Sequence, residues 1–420
     1  MDHTTQQRKF PVKTWRVGSV RICDGVRSNP EWVARTHRLL KRFHAQNVEW
    51  DVPFSQGEGW NLLSGTRRDF EDDSPPDVVI SVMQFDGLDA WIVAPKEERS
   101  GALVLQPYRW TVRRDAQRLR RNEDTVCQTA VQFEAIRGCL HRCCYCSMTK
   151  VIIIPVNPEA VVEHVDLLMA EHPGQTLFKY GASTDAPCFE PDYGISRMLV
   201  EHFAEKSREF LMLFTKSDNV DSLLDLDHRG RTIMCWSLSA QTAASEVEPF
   251  TPSTSERIQA AVKCQDAGYR VRFRFSPITP TDGWETETEA MVREIFDSGL
   301  APDLITLRTI GWFPYDQFVR SMPQMTIDPH FRAIMTQAAA DEAIPVTRFQ
   351  PLPEAARVEI YTHVAGLLRQ VSPKTRISLC WETPDVWAAM QEFTGMTPSG
   401  FVCNCGPNCA PPNPLLSEST

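Results

Sequence analysis

The chain has 420 residues, enough for one large domain or two ordinary ones around a substantial apolar core. Its 42% hydrophobic and 23% charged residues are the balance of a folded protein, and the formal net charge of -10 argues against a general nucleic-acid coat protein while leaving room for a local basic patch. No apolar stretch is long enough to cross a bilayer, and the start, MDHTTQQRKF, lacks the apolar core of a secretion signal, so the expectation is a cytoplasmic protein with no membrane partner.

Residues 1–125 read as an N-terminal α+β extension. Asn29-Pro30 opens a helix expected to run to about Gln46. Strands are expected at Val78–Met83, Ala90–Ala94 and Gly101–Gln106, between Gly, Pro and charged residues. An arginine run follows Tyr108 and Trp110. Arg113, Arg114 and Arg118 are the candidates there for gripping phosphates while an aromatic stacks a base. The competing reading is one exposed helix face carrying Arg114, Arg118 and Arg121.

From about residue 129 a rhythm sets in. Apolar strands are expected at 129–136, 175–182, 209–216, 231–239, 269–278 and 303–310. Helical patterns lie between most of them. Asn157-Pro158 opens one with Val161, Val165 and Leu168 on one face; Ser253 and Glu256 form a capping box for another, closed by Gly268; a third covers roughly 286–298. Strands this apolar, alternating with helices, imply a parallel sheet covered by helices. No Gly-rich phosphate loop follows the first strand, so residues 126–345 fit a (β/α)6 partial TIM barrel better than a doubly wound sheet, with the site at the strand ends. Residues 346–400 read as helix (Glu354–Gln370), strand (Arg376–Cys380) and helix (Pro384–Phe393). The tail, 401–420, is rich in Cys, Pro and Asn and is expected to be irregular.

Thirteen cysteines, an odd number, argue for a reducing compartment and for metal or redox chemistry over a disulfide framework. After the first barrel strand the chain reads Arg137-Gly138-Cys139-Leu140-His141-Arg142-Cys143-Cys144-Tyr145-Cys146. Cys139, Cys143 and Cys146 have the spacing C-x3-C-x2-C. Three thiolates on one tight loop can hold three irons of a [4Fe–4S] cube and leave the fourth open to a small molecule. Structural zinc is the competing reading, but zinc sites normally supply four ligands, commonly as separated pairs. Cys144 reads as a bystander. In the tail, Cys403, Cys405 and Cys409 could ligate a second metal centre with Cys380 as a further ligand, or supply a hydrogen-donating thiol; incidental cysteines on a mobile tail are the alternative.

The triplet, with Tyr145 just before its third cysteine, resembles the signature of the radical S-adenosylmethionine (SAM) enzymes. The resemblance implies that SAM chelates the open iron and is reductively cleaved to a 5′-deoxyadenosyl radical, which takes hydrogen from an unactivated carbon, with flavodoxin or ferredoxin as the kind of electron donor. Further residues are similar to the spore photoproduct lyase family: Phe214-Thr215-Lys216-Ser217-Asp218-Asn219, His228-Arg229-Gly230-Arg231-Thr232, Trp236-Ser237-Leu238-Ser239, Glu248-Pro249-Phe250-Thr251 and Ser276-Pro277-Ile278. This resemblance implies SAM contacts from Tyr145, Ser183, Asp185, Lys216, Ser237 and Ser239. It also exposes two departures. Thr184 stands where the lyases carry a hydrogen-donating cysteine, and Ser147 where they carry a tyrosine. Candidate replacement donors are Cys188, Cys403, Cys405 and Cys409.

The leading expectation is therefore a radical SAM enzyme acting on a nucleoside-type or other small molecule, with nucleic acid the less favoured partner. The second is a thymine-dimer (spore photoproduct) lyase with a changed hydrogen donor. The third, of another class, is a non-catalytic iron–sulfur or zinc protein that binds nucleic acid.

Overall fold

The computed structural model describes residues 13–52, 74–86, 89–92, 108–109, 111–112, 125–128, 130–146, 151–181, 184–311, 318, 325–341 and 350–416. The strand expected at 101–106, the arginines Arg113, Arg114 and Arg118, and Ser147 and Ser183 lie outside the described residues.

Strand β1 (Trp15–Cys23) leads through a 3-10 turn into helix α1 (Pro30–Leu40), which Asn29 caps by accepting from Glu31 N. The helix stops at Leu40, short of the expected Gln46, and the chain continues as β2 (Phe43–Val52). Pairing explains the difference. β2 runs parallel to β1 from Trp15↔Phe43 onward, and Trp15 N donates to Arg42 O at 2.7 Å, so the ladder claims backbone groups a longer helix would have used. β3 (Asp77–Ser81) pairs on the other side of β1. β4 (Met83–Asp86), β5 (Asp89–Ile92) and β6 (Tyr108–Arg109) form a small antiparallel sheet.

The main sheet begins with β7 (Thr111–Val112), antiparallel to β8 (Val131–Phe133). The next strand in sequence, β9 (Val151–Pro155), leaves this sheet and pairs with β3, so the N-terminal sheet has the order β2-β1-β3-β9 and draws on residues well beyond 125. From β8 the main sheet continues in parallel through β10 (Leu177–Tyr180), β11 (Phe210–Thr215), β12 (Thr232–Leu238), β13 (Arg270–Ile278) and β14 (Leu304–Thr309). These are the six expected barrel strands. A seventh, β15 (Arg376–Leu379), extends the sheet through Thr306↔Ser378, so the strand expected in the C-terminal helix-strand-helix is part of the same sheet. The barrel stays open between β15 and β7.

The connecting helices bury their apolar faces against this sheet. α2 (Pro158–Glu171) buries Val161, Val165 and Leu168 as its periodicity predicts. Asn157 does not cap it; its side-chain amide instead exchanges two 2.7 Å hydrogen bonds with the backbone of Met83, tying the barrel helix to the N-terminal region. α3 (Ile195–Ala204), α4 (Gln241–Val247), α5 (Thr254–Asp266) and α6 (Trp284–Asp297) follow. α5 carries the expected capping box: Ser253 and Glu256 satisfy each other's backbone N–H groups. α7 (Pro329–Ala340) and α8 (Glu354–Val371) lie between β14 and β15, and α9 (Pro384–Ala389) and α10 (Gln391–Thr394) follow β15.

The tail is irregular as expected but buried, with Val402 and Asn404 at 0% and 1% exposure. It lies against the inner side of the barrel. Ser378 Oγ donates to Val402 O (2.6 Å), Asn404 Nδ2 to Thr306 Oγ1 (2.9 Å), Arg272 Nη1 to Cys409 O (2.8 Å) and Thr176 N to Pro407 O (2.8 Å). Arg272, itself 0% exposed, is also paired with Asp303 (2.6 Å). The mobile-tail alternative therefore fails, because these donors and acceptors belong to four different barrel strands or their immediate starts.

Candidate active site

The cysteine loop leaves β8 through Gly138 at φ +87°, where a Cβ would sit 2.5 Å from Val151 O. Glycine is required here because β9 passes directly beside the loop. Arg142 also adopts a positive φ of 51°, and Cys146 N donates to Cys143 O at 3.0 Å, closing the turn. Cys139, Cys143 and Cys146 line one cavity of about 320 Å³ inside the barrel. Cys144 is buried but outside that lining, and its N–H donates to Val247 O at 2.9 Å, in keeping with a bystander. Burial pushes the Cys139 and Cys143 thiols up, with added opposition from Asp185 and Glu248 respectively. Thiols so placed need a strongly positive partner to ionise. Three soft sulfur donors on one loop facing one cavity suit an iron–sulfur cluster with an open iron.

Behind the loop stands Glu248, which carries no expected site role although it falls in the quoted Glu-Pro-Phe-Thr stretch. Its Oε1 accepts from Tyr145 Oη and Lys216 Nζ (each 2.8 Å), and its Oε2 pairs with Arg257 Nη1 at 2.7 Å. Burial opposes ionisation, but Lys216 and Arg257 beside it bring Glu248 down to about 2. Arg257 also donates to Ser237 O and Thr251 Oγ1, so one ion network fixes the end of β12, the turn before α5 and the aromatic of the cysteine loop. Of the expected SAM contacts, Tyr145, Lys216 and Ser237 line the cavity. Ser239 does not; its hydroxyl lies 2.9 Å from Glu248 Oε1 and 3.1 Å from Pro277 O.

A second network starts from Asp185. Its Oδ1 accepts from Thr215 Oγ1 (2.8 Å), and its Oδ2 accepts from Lys216 N (2.6 Å) and faces His141 Nε2 (3.1 Å). Burial raises this carboxyl, but His141 and the donors around it outweigh that and leave it lowered. Asp185 lines the cavity while both its oxygens are engaged, so it anchors His141 and thereby the cysteine loop to β11. Thr184, next to it, is 6% exposed, and its hydroxyl finds no partner among the described residues.

The four candidate hydrogen donors separate clearly. Cys188 is buried against His141 Nε2 (3.3 Å), away from the cavity, and Cys409 is likewise outside the lining. Cys403 and Cys405 line it, together with Cys380 and Cys127. Cys403 and Cys409 approach to 4.0 Å between sulfurs; Cys403 Sγ accepts from Gly406 N and Cys409 Sγ from Cys403 N. Among the described residues, however, the close group of three metal-capable ligands is His141, Asp185 and Cys188. Among the described residues the tail cysteines form no such single-ion group, and the second metal centre expected there is not confirmed.

Comparison with known proteins agrees with this geometry. The family profile described as spore photoproduct lyase matches residues 126–306. The spore photoproduct lyase of Bacillus subtilis (strain 168) is 32% identical over 174 residues, covering 40% of this chain and 51% of that protein. That of Geobacillus sp. (strain Y412MC61) is 31% identical over 163 residues, covering 35% and 46%. The chain thus spans about half the length of these curated relatives. Among solved structures, a spore photoproduct lyase variant with bound AdoMet and dinucleoside spore photoproduct superposes with a TM-score of 0.58 at 17% identity, over 87% of this chain and 99% of that one. A lyase complexed with the dinucleoside photoproduct alone gives 0.57 at 16% identity. The fold likeness therefore reaches beyond the segment matched by sequence. Residues 126–306, which hold the cysteine triplet and most of the barrel, thus match the spore photoproduct lyase family.

Proposed function

We propose that this protein is a lyase-type radical SAM enzyme acting on a cross-linked pyrimidine dinucleotide of DNA, with its returning hydrogen supplied by a tail thiol. One observation carries the reading: the three loop cysteines, the SAM-side residues Lys216 and Ser237, and the thiols of Cys403 and Cys405 all face a single cavity. The substrate class is drawn from the relatives, and it is favoured over an unrelated small molecule because the matched segment, 126–306, supplies most of the residues that line the cavity.

A bound [4Fe–4S] cluster and SAM supply one-electron chemistry able to take hydrogen from an unactivated carbon. The chain's share is placement. Cys139, Cys143 and Cys146 would hold the cluster, while Tyr145 and Lys216, both tied to Glu248, fix the wall beside it. Thr184 has no S–H to give, so hydrogen return falls to the thiols across the cavity, Cys405 and Cys403.

Anaerobic reconstitution followed by addition of SAM, a flavodoxin or dithionite reductant and the dinucleotide photoproduct tests this. Expected products are 5′-deoxyadenosine and restored thymines, and Cys139→Ala, Cys143→Ala or Cys146→Ala abolishes both together with bound iron. Protein that loads iron yet never cleaves SAM refutes the enzyme reading. SAM cleavage without repair refutes the substrate.

A further inference from the structure

The barrel strands bring further positive charge into the same cavity. Lys179 on β10, Arg274 on β13 and Arg308 on β14 all line the cavity. Lys179 Nζ lies 4.4 Å and the Arg274 guanidinium 5.1 Å from the centre of the same Phe214 ring, so both cations border one aromatic of the lining. Arg274 is in register with Thr306, two residues before Arg308 on the neighbouring strand. Among the described residues the cavity lining contains one carboxylate, Asp185, which is already engaged by His141, Thr215 and Lys216. Glu382, whose charge reaches Arg308, is held by Arg357 Nε (3.0 Å) and Tyr361 Oη (2.6 Å).

Burial and the like charge of Arg274 hold Arg308 down to about 10, against some support from Cys380 and other groups. The charges felt by Arg274 come from Cys380, Cys405 and Cys235, whereas those felt by Cys143 come from Glu248, Lys216, Cys146 and Arg257. Arg274 and Arg308 thus both sit near Cys380, and Arg274 near Cys405 of the tail. Three buried polar atoms of the lining have no partner among the described residues: Thr184 Oγ1, Gln132 Oε1 and Asn404 Oδ1. Buried polar atoms are normally satisfied, so these await a ligand that both donates and accepts hydrogen bonds. Cations for an anion plus free amide oxygens for ring N–H groups describe a nucleotide more closely than a nucleoside.

We propose that Lys179, Arg274 and Arg308 form a phosphate-binding wall inside the barrel, and that it holds the phosphate of a pyrimidine nucleotide substrate against the tail while Gln132 and Asn404 accept from its base. This deepens the nucleotide reading above and rests on it. Arginine is suited to the task because its planar fork pairs two phosphate oxygens at once.

The test uses cluster-free full-length protein without SAM, so its outcome is independent of radical chemistry. Calorimetric titration with thymidine 5′-monophosphate, thymidine and inorganic phosphate is expected to show the monophosphate binding at least about tenfold more tightly than thymidine, with phosphate competing. Arg274→Gln and Arg308→Gln should each remove most of that preference, and Arg274→Lys should keep part of it. In the wild-type protein, phenylglyoxal labelling of Arg274 and Arg308, read by mass spectrometry, should be slowed by the monophosphate and not by thymidine, a measurement that needs no variant to fold. Equal affinity for nucleotide and nucleoside, no binding of either, or no protection of the two arginines overturns the proposal. So does an Arg274→Gln variant that weakens SAM binding while leaving the monophosphate untouched. Loss of SAM cleavage in the loaded enzyme with this preference intact would instead fault the radical reading alone.

Discussion

Replacing Glu248 by glutamine removes one negative charge from between two cations while keeping the side chain's shape. Glu248 is 1% exposed, and its ordinary value of 4.5 falls to about 2 in the folded protein. A depression of that size corresponds to on the order of 3 kcal/mol of folded-state stabilisation at neutral pH. It agrees with the roughly 3–5 kcal/mol lost when one partner of a buried ion pair is deleted. The folded value lies below the unfolded one, so the contribution is complete well above pH 4.5 and disappears as the pH falls through about 2. Urea unfolding of cluster-free wild-type and Glu248→Gln protein at pH 7 should therefore differ by about 3 kcal/mol, and the gap should narrow by about 1 kcal/mol by pH 4. The variant should also bind SAM more weakly once loaded with iron, because Tyr145 and Lys216 lose their common anchor. A gap below about 1 kcal/mol at pH 7, or one that does not shrink on acidification, would refute the claim that this carboxylate is the charged keystone of the loop.

Other perturbations probe separate parts of the site. Gly138→Ala puts a methyl group 2.5 Å from Val151 O at a positive φ, which should cost on the order of 1–3 kcal/mol and reduce iron loading, measured by iron content after reconstitution. Arg272→Met breaks the pair with Asp303, which keeps Arg270 at 3.1 Å, and the bond to Cys409 O, so the tail should become sensitive to limited proteolysis, with a loss of roughly 1.5–3 kcal/mol in unfolding free energy. Thr184→Cys places a thiol in the same cavity; under the proposed lyase activity, mass spectrometry of product formed in heavy water should then show turnover continuing in a Cys403→Ala, Cys405→Ala background where the parent double variant stalls.

Much of the barrel is legible in the chain because its signals are local. Strands such as Leu211-Met212-Leu213-Phe214 are apolar on both faces, as a parallel strand covered by helices must be, and Ser253 with Glu256 marks a helix start wherever it falls. The triplet Cys139, Cys143 and Cys146 is equally local: its spacing alone places three thiols on one loop. By contrast β1 is diluted by Gly18, Arg16 and Arg21, and β9 is too short to show a period, so neither stands out before its parallel partners are known.

Burial and charge pairing are the parts that no window of residues contains. Glu248 becomes a keystone because Lys216 lies 32 residues before it and Arg257 on the next helix, and only the fold brings them within 2.8 Å. The tail's cysteines looked like one group by spacing. The barrel instead turns Cys403 and Cys405 into the cavity and leaves Cys409 outside it, while Cys188 is taken by His141. Residue type and spacing determine which chemistry a side chain can perform; which cavity it reaches, and which charge it meets there, depend on packing between segments far apart in the chain.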